Sequence, residues 1–383
     1  MLGGKMNDEV KIFVSGDFCP AWGPVDQLIQ DNADASVFGD FCEIIQGADI
    51  SITNLECPLT RSNNGIKKIG PNLKAPSEIA TLLESAGFDL VTLANNHIYD
   101  YGQQGLCDTL EALQRAHLSY VGAGLSLKEA QKTFFTKVKG IKLEIVNFSE
   151  IEFSCADKNH GGANPMDLID NVHQIQDARN NADHVLVVIH GGHEHYHYPS
   201  PETLKRYRFY AENGASAVIA HHTHCIGGYE SWKGVPIFYS LGNFFFPASP
   251  KMPDLWYKGY ALLLKITKSS VSFEILPYEQ CKDGALSINR KRSHEILEKI
   301  EEISRVLKDE DQITQRWRKF TEERSLYYLT AISGFGRYKI AILRGLGLLD
   351  YFYKKSQLNI ILQITRCEAH RETAREVLSN YLK

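Results

Sequence analysis

Val185-Leu-Val-Val-Ile-His-Gly-Gly-His-Glu-His-Tyr-His197 is a short apolar run that ends in a cluster of imidazoles, and Ala217-Val-Ile-Ala-His-His-Thr-His224 repeats the pattern. Seven of the chain's 14 histidines fall in these two blocks. Short apolar runs rich in β-branched side chains read as buried strands. Neutral imidazole is the commonest protein metal ligand, so histidines gathered where such strands end point to a metal site.

Working outward, the same reading gives strands at Val10–Ser15, Asp49–Thr53, Asp89–Leu93, Leu143–Asn147, His184–Ile189, Ala217–Ala220, Ile237–Ser240 and Ala261–Ile266, with another near Val271–Ile275. Helical stretches such as Ser77–Ala86, Gln104–Ala116 and Pro201–Asn213 lie between them, and Gly87 and Gly214 stand where helix C-caps belong. Strand and helix in alternation predict an α/β architecture with at least partly parallel sheets. Three more strand ends run straight into polar side chains: Gly16-Asp17, Asn54-Leu-Glu56 and Ala94-Asn-Asn-His97, with Asp100 just beyond. Ligands bind beyond the carboxyl ends of strands in such sheets, so five ends of this kind predict one shared metal site.

The donor set points to two metal ions. Carboxylates (Asp17, Glu56), an amide (Asn96) and imidazoles (His190, His222, His224) suit divalent Mn, Fe, Zn or Mg, and a carboxylate can bridge two cations. Such a pair clamps the attacking and leaving oxygens of a phosphoryl group. His97 is then the candidate proton donor to the leaving oxygen, with Asp100 placed to orient its ring.

Composition bounds the alternatives. The net charge of −4 over 383 residues argues against a nucleic-acid binder. Eight dispersed cysteines without a CxxC pair are no disulfide framework, and reduced buried thiols are the expectation. The N-terminal residues hold no apolar signal core and no stretch is long enough to span a bilayer, which reads as a cytoplasmic, soluble protein. Charge is unevenly spread: from Arg290 onward there are 19 Lys/Arg against 13 Asp/Glu, a net of +6. Helical periodicity dominates that part, as in Ile296, Ile300, Ile303 and Leu307. The expected division is a catalytic-type domain over 8–285 and a helical extension over 286–383. The extension packs on the core with a solvated basic face, or its segment Phe335–Lys355 lies on a membrane surface or an acidic partner.

The ordered set Gly16-Asp17, Asn54-Leu-Glu56, Ala94-Asn-Asn-His-Ile-Tyr-Asp-Tyr-Gly102, His190-x-Gly-x-Glu194, His222-x-His224 and Tyr239-Ser-Leu-Gly-Asn-Phe244 resembles the CapA family. Its members are capsule-biosynthesis proteins linked to poly-γ-glutamate and are similar to calcineurin-type metallophosphoesterases. The resemblance covers roughly residues 10–280. It implies a metallophosphatase-like four-layer sandwich, two mixed β-sheets flanked by helices, followed here by the C-terminal helices. It also implies that one metal takes Asp17, bridging Glu56 and His224. The other would take Glu56, Asn96, His190 and His222, with His97 as general acid. Glu194 matches the family's acidic position, and Asn243 either closes the site or fixes its own turn.

Departures from the family pattern mark this chain. Cys19 stands where the superfamily has a histidine, so the first metal has fewer protein ligands or takes Cys19 as thiolate. Glu56 replaces an aspartate bridge. His190-Gly-Gly-His-Glu-His195 replaces His-Trp-Gly-x-Glu-Tyr, which makes His193, His195 and His197 candidates for anionic substrate. The implied activity is a dinuclear phosphoesterase in capsule or cell-envelope polymer synthesis, acting on an anionic small molecule or polymer. The alternatives are a metal-dependent γ-glutamyl amide hydrolase and a non-catalytic, metal-stabilised accessory subunit of a capsule synthase.

Overall fold

The computed structural model describes residues 9–21, 35–247, 252–280, 286–287, 290–333, 337–348 and 355–381. In chain order the strands are β1 (Val10–Phe18), β2 (Ile50–Leu55), β3 (Leu90–Thr92), β4 (Ser119–Val121), β5 (Ala123–Gly124) and β6 (Phe134–Val138). They continue with β7 (Ile141–Ser149), β8 (Gly162–Ala163), β9 (His184–His190), β10 (Ala217–His221) and β11 (Tyr229–Trp232). The last five are β12 (Val235–Phe238), β13 (Asn243–Phe245), β14 (Lys258–Ile266), β15 (Val271–Gln280) and β16 (Leu286–Ser287).

Two mixed sheets result. One runs β16-β15-β14-β1-β2-β3-β4 with β13 beside β1, and its β1 to β4 pairs are parallel. The other runs β11-β12-β10-β9-β7-β6, with β7, β9, β10 and β12 parallel. Side chains alternate across each strand, which sorts the apolar runs into layers. Ile12 and Val14 of β1 meet Leu186 and Val188 of β9 in a core between the sheets. Phe13 turns the other way, onto helices Phe41–Gln46, Ile79–Ala86 and Gly102–Arg115. Val185, Val187 and Ile189 turn outward onto helices Leu168–Asn181 and Pro201–Glu212. The order is therefore helix, sheet, sheet, helix: the four-layer α/β sandwich expected from the sequence. Strands buried on both faces are why the sequence shows continuous apolar runs instead of alternation.

Helix boundaries follow local chemistry. Ser200 caps Pro201–Glu212 by accepting from Thr203 N, with Pro at the first position. Gly87 ends Ile79–Ala86 at φ 97°, a left-handed conformation that favours glycine. Helix Arg290–Val306 buries Ile296, Ile300 and Ile303 with the inter-sheet core.

The chain divides into two compact units, 1–315 and 316–383. The second is helical, with the remainder of Glu310–Ser333 followed by Arg337–Gly345, Lys355–Arg366 and Glu368–Tyr381. Of the segment singled out as membrane- or partner-facing, 335–336 and 349–354 lie outside the described residues. Within it Tyr338, Ile342 and Leu346 are exposed. Among the described residues no helix is long and apolar enough to cross a membrane.

Candidate metal centre

Strand pairing assembles the site. β1 and β2 run parallel with Asp17 opposite Asn54, and Asp17 is also level with Asn243 of β13. The register slips between Val14 and Asp17, an irregularity that re-aims the side chain at the strand's end. Gly16 is required there, because a Cβ would sit 2.1 Å from the Gly242 carbonyl oxygen. On the second sheet His190 and His221 end β9 and β10 side by side. Beyond β10 the backbone of His222 (φ 92°) and His224 (φ 54°) is left-handed, which L-residues adopt at a cost and which recurs at functional sites. The His195 amide donates to the Thr223 carbonyl at 2.8 Å, locking the two histidine blocks together.

The six expected ligands converge. His190 Nε2 lies 3.0 Å from Asn96 Oδ1, 3.1 Å from His222 Nδ1 and 3.4 Å from Glu56 Oε1. His224 Nε2 lies 3.6 Å from the same Glu56 oxygen. Donors bound to one ion at about 2.1 Å stand about 3 Å apart, so these separations have the scale of a ligand shell. Two donor triads share one member: Asp17 with Glu56 and His190, and Glu56 with His222 and His224, so His190 groups with Asp17 and His224 with His222, unlike the division the family resemblance implies.

Electrostatics favour cations here. Glu56 is fully buried and neither carboxylate oxygen has a hydrogen bond. Burial, reinforced by Asp17 and Glu194, pushes its carboxyl well above the ordinary range. An uncompensated buried carboxylate is costly, and a divalent cation satisfies it. Burial would also raise Asp17, but the imidazoles of His221, His190 and His224 outweigh it and hold that carboxyl low. His190 is driven well down by burial and then by His222, and His222 falls to about 4 through burial and His224. Both therefore keep the lone pairs that metal binding needs. The residues fit divalent cations of the O/N-binding type.

Beside the centre, His97 Nδ1 stands 2.7 Å from Asp100 Oδ2. Burial lowers the basicity of His97, against the pull of Asp100. Lys68, which the strand-end reading missed, pairs with Asp100 Oδ1 and lies 3.2 Å from His97 Nδ1. It comes from an extended segment with no strand or helix signature. Asn95 builds the loop: its Oδ1 accepts from His97 N at 3.0 Å and its Nδ2 donates to the Leu55 carbonyl at 2.8 Å. Asn54, quoted in the sequence only as part of a motif, donates from Nδ2 to Asp17 Oδ1 at 2.7 Å.

The remaining candidates separate. Asn243 Oδ1 is 2.9 Å from His224 Nδ1, while Asn243 Nδ2 donates to the Trp256 carbonyl at 3.1 Å. Glu194 is exposed at the rim, and despite partial burial the charges of His222, His224, His195 and His97 lower its carboxyl. His193 and His195 are half-buried, with the His195 ring 6.0 Å from that of Trp256. His197 is turned to the protein, its Nδ1 2.6 Å from the Ile226 carbonyl. Cys19 is buried in the helix-side core, where burial and Cys57 raise its thiol well above the ordinary range. It stays a protonated thiol and belongs to neither donor triad.

Buried carboxylates, an amide and neutral imidazoles thus meet at the strand ends of a four-layer α/β sandwich as a candidate metal site. The chain belongs to the bacterial capsule synthesis protein PGA_cap family, whose model matches residues 11–248. It is 31% identical over 251 residues to the capsule biosynthesis protein CapA of Bacillus anthracis, covering 63% of this chain and 61% of that one. It is 32% identical over 228 residues to the PGA biosynthesis protein CapA of Bacillus subtilis (strain 168), covering 58% and 60%. The match thus spans about three fifths of these relatives' own length. Among solved structures, a putative 5'-nucleotidase from Staphylococcus aureus in complex with α-ketoglutarate aligns with a TM-score of 0.44 at 13% identity, over 76% of this chain and 58% of that one.

Proposed function

We propose that this protein is a metal-dependent phosphoester hydrolase of capsule or cell-envelope polymer synthesis, with two divalent cations held across Glu56. The observation that carries this reading is Glu56 itself, which belongs to both donor triads and has two buried oxygens without hydrogen bonds. A carboxylate in that position suits a bridge between two ions. Asp17, Asn96, His190, His222 and His224 would hold them, and Mn, Fe, Zn or Mg all match this donor set.

Bound there, the ions supply Lewis acidity and an acidified water. His97 has its Nδ1 engaged by Asp100, which leaves Nε2 to deliver a proton to the leaving oxygen. Lys68 balances the charge of Asp100 and holds it in place. Glu194, His193 and His195 form the rim that the substrate crosses. The partners on this reading are an anionic substrate and other proteins of capsule assembly. The basic chain beyond Arg290, with exposed Tyr338, Ile342 and Leu346, is suited to an anionic membrane surface.

The test is metal analysis joined to a substrate screen. The expected result is about two equivalents of divalent metal, with turnover of p-nitrophenyl or bis-p-nitrophenyl phosphate that is lost in His190→Ala. Full loading with cleavage of γ-glutamyl amides only would replace the phosphoester by an amide. Full loading with neither activity would leave a metal-stabilised accessory subunit.

A further inference from the structure

Two segments are pinned to the His97 loop. Residues 150–154 run to it from the end of β9: the Glu150 amide donates to the His190 carbonyl at 3.0 Å, and Ser154 Oγ donates to the Asn96 carbonyl at 2.6 Å. Glu150 Oε1 also accepts from Gly192 N at 3.2 Å. Residues 66–70 are held through Lys68, which pairs with Asp100 Oδ1 and lies 3.2 Å from His97 Nδ1, and through Ile66 N, which donates to the Asp100 carbonyl at 2.9 Å. Glu152 ties the two segments to one opening. Partial burial, then Glu194 and Glu150, raise its carboxyl while Lys68 pulls it back, so its charge feels the 66–70 segment and the Glu194 rim together.

Both segments carry large apolar side chains into solvent: Ile69 is 81% exposed, Ile151 49% and Phe153 48%. A single exposed hydrophobe is ordinary, but three on firmly held loops at one mouth mark a surface built for contact. Their place says with what. Both segments attach at the His97 loop, and on the reading above His97 serves the leaving oxygen, so whatever that oxygen carries passes beside them. We propose that Ile69, Ile151 and Phe153 form the leaving-group subsite, and that the substrate is the phosphoester of an amphiphile whose apolar chain lies on them. The inference rests on the phosphoester reading. In the step it implies, water adds to phosphorus and the phosphorus–oxygen bond to the chain breaks. The leaving oxygen takes its proton from His97, which recovers one from the attacking water, giving an alcohol and inorganic phosphate.

The test measures binding, by calorimetry, of methyl-, butyl- and octylphosphonate to the full chain loaded with Mn²⁺, below the concentration at which the phosphonates aggregate. Their carbon–phosphorus bond is not hydrolysed, so the readout is independent of turnover. The expected result is an affinity that rises about two- to fourfold per added methylene. Ile69→Ser, Ile151→Ser and Phe153→Ser alter exposed side chains and should keep the parental urea midpoint; combined, they should flatten the chain-length series while leaving methylphosphonate binding unchanged. Equal affinity for all three phosphonates in the parent protein, or an undiminished slope in the combined variant, overturns the proposal and leaves the phosphoester reading standing. Loss of binding to phosphatidylglycerol vesicles in the combined variant, with no chain-length effect on the soluble phosphonates, makes the patch a membrane contact and also overturns it. A parent protein that takes up no metal and binds no phosphonate overturns the phosphoester reading and this inference with it.

Discussion

His224 Nδ1 stands 2.9 Å from Asn243 Oδ1, and the Asn243 amide is fixed by its own donation to the Trp256 carbonyl at 3.1 Å. The bond sets the His224 tautomer: Nδ1 carries the proton and Nε2 presents its lone pair toward Glu56. Asn243→Ala removes the orienting group while leaving every proposed ligand. Its metal affinity should fall about 10- to 100-fold, measured by competition with a chromogenic chelator. Parental affinity in this variant would mean that the ring is held by packing against Trp256 and Phe246 alone.

His97 and Asp100 should separate cleanly from metal binding. His97→Ala is expected to keep the full metal content and lose about 10²- to 10⁴-fold in phosphomonoester turnover. The loss should shrink for substrates whose leaving group needs no proton. Asp100→Asn should share the defect, since Asp100 also accepts from Leu73 N at 2.7 Å and ties the Lys68 segment to the His97 loop. Steady-state kinetics across a series of leaving groups makes the check.

Asp49 links the two sheets. It accepts from the Lys11 amide at 2.8 Å at the start of β1 and from Lys139 Nζ at 2.7 Å in the β6–β7 turn. Partial burial would raise its carboxyl, but the Lys11 amide and Lys139 outweigh that and hold it below the ordinary range. The sign follows from proton linkage: a depressed folded value stabilises above the unfolded pKa of about 3.9 and loses that stabilisation as pH falls through the folded value. Asp49→Asn should cost roughly 1 kcal/mol at pH 7. The gap to the parent protein should close between about pH 4 and the acid limit, read from urea midpoints. A gap that persists unchanged at the lowest pH would assign the effect to shape instead of charge.

Arg208 is a buried hub. Its Nε and Nη2 meet Glu230 at 2.8 and 2.9 Å, Nη1 reaches Glu310, Nη2 donates to the Leu307 carbonyl, and the guanidinium lies 4.0 Å from the Trp232 ring centre. Removing it strands the Glu230 carboxylate, so Arg208→Ala should cost about 3–5 kcal/mol. The double variant Arg208→Ala/Glu230→Gln should recover part of the loss. Chemical denaturation of the three proteins provides the comparison.

The layers and the polar strand ends that meet at the candidate site were legible because burial on both faces writes itself into sequence as short β-branched runs. Val185 to Ile189 and Ala217 to Ala220 are of that kind, and polar side chains follow them at once. Short pairings carry no such signature: β4, β5, β6, β8, β11, β13 and β16 were missed, and their residues are strands because neighbouring strands hold them. Within the site, Asp17, Glu56, Asn96 and the histidines announced themselves by type and position. Lys68, Asn54 and His221 did not. Lysine in a surface segment is ordinarily solvated, and only the folded path of 61–74 brings Lys68 to Asp100. His221 was hidden by its neighbours, since a run of histidines does not say which ring points inward.

Asp17 and the His222 amide are joined by a hydrogen bond that closes 205 residues of sequence. A centre drawn from both ends of so long a stretch has no precursor in any shorter piece of chain. On the two-metal reading, the full donor set exists only once Asp17 and Glu56 from the first sheet have met His190, His222 and His224 from the second. Full metal content would then count molecules in which the two sheets have come together.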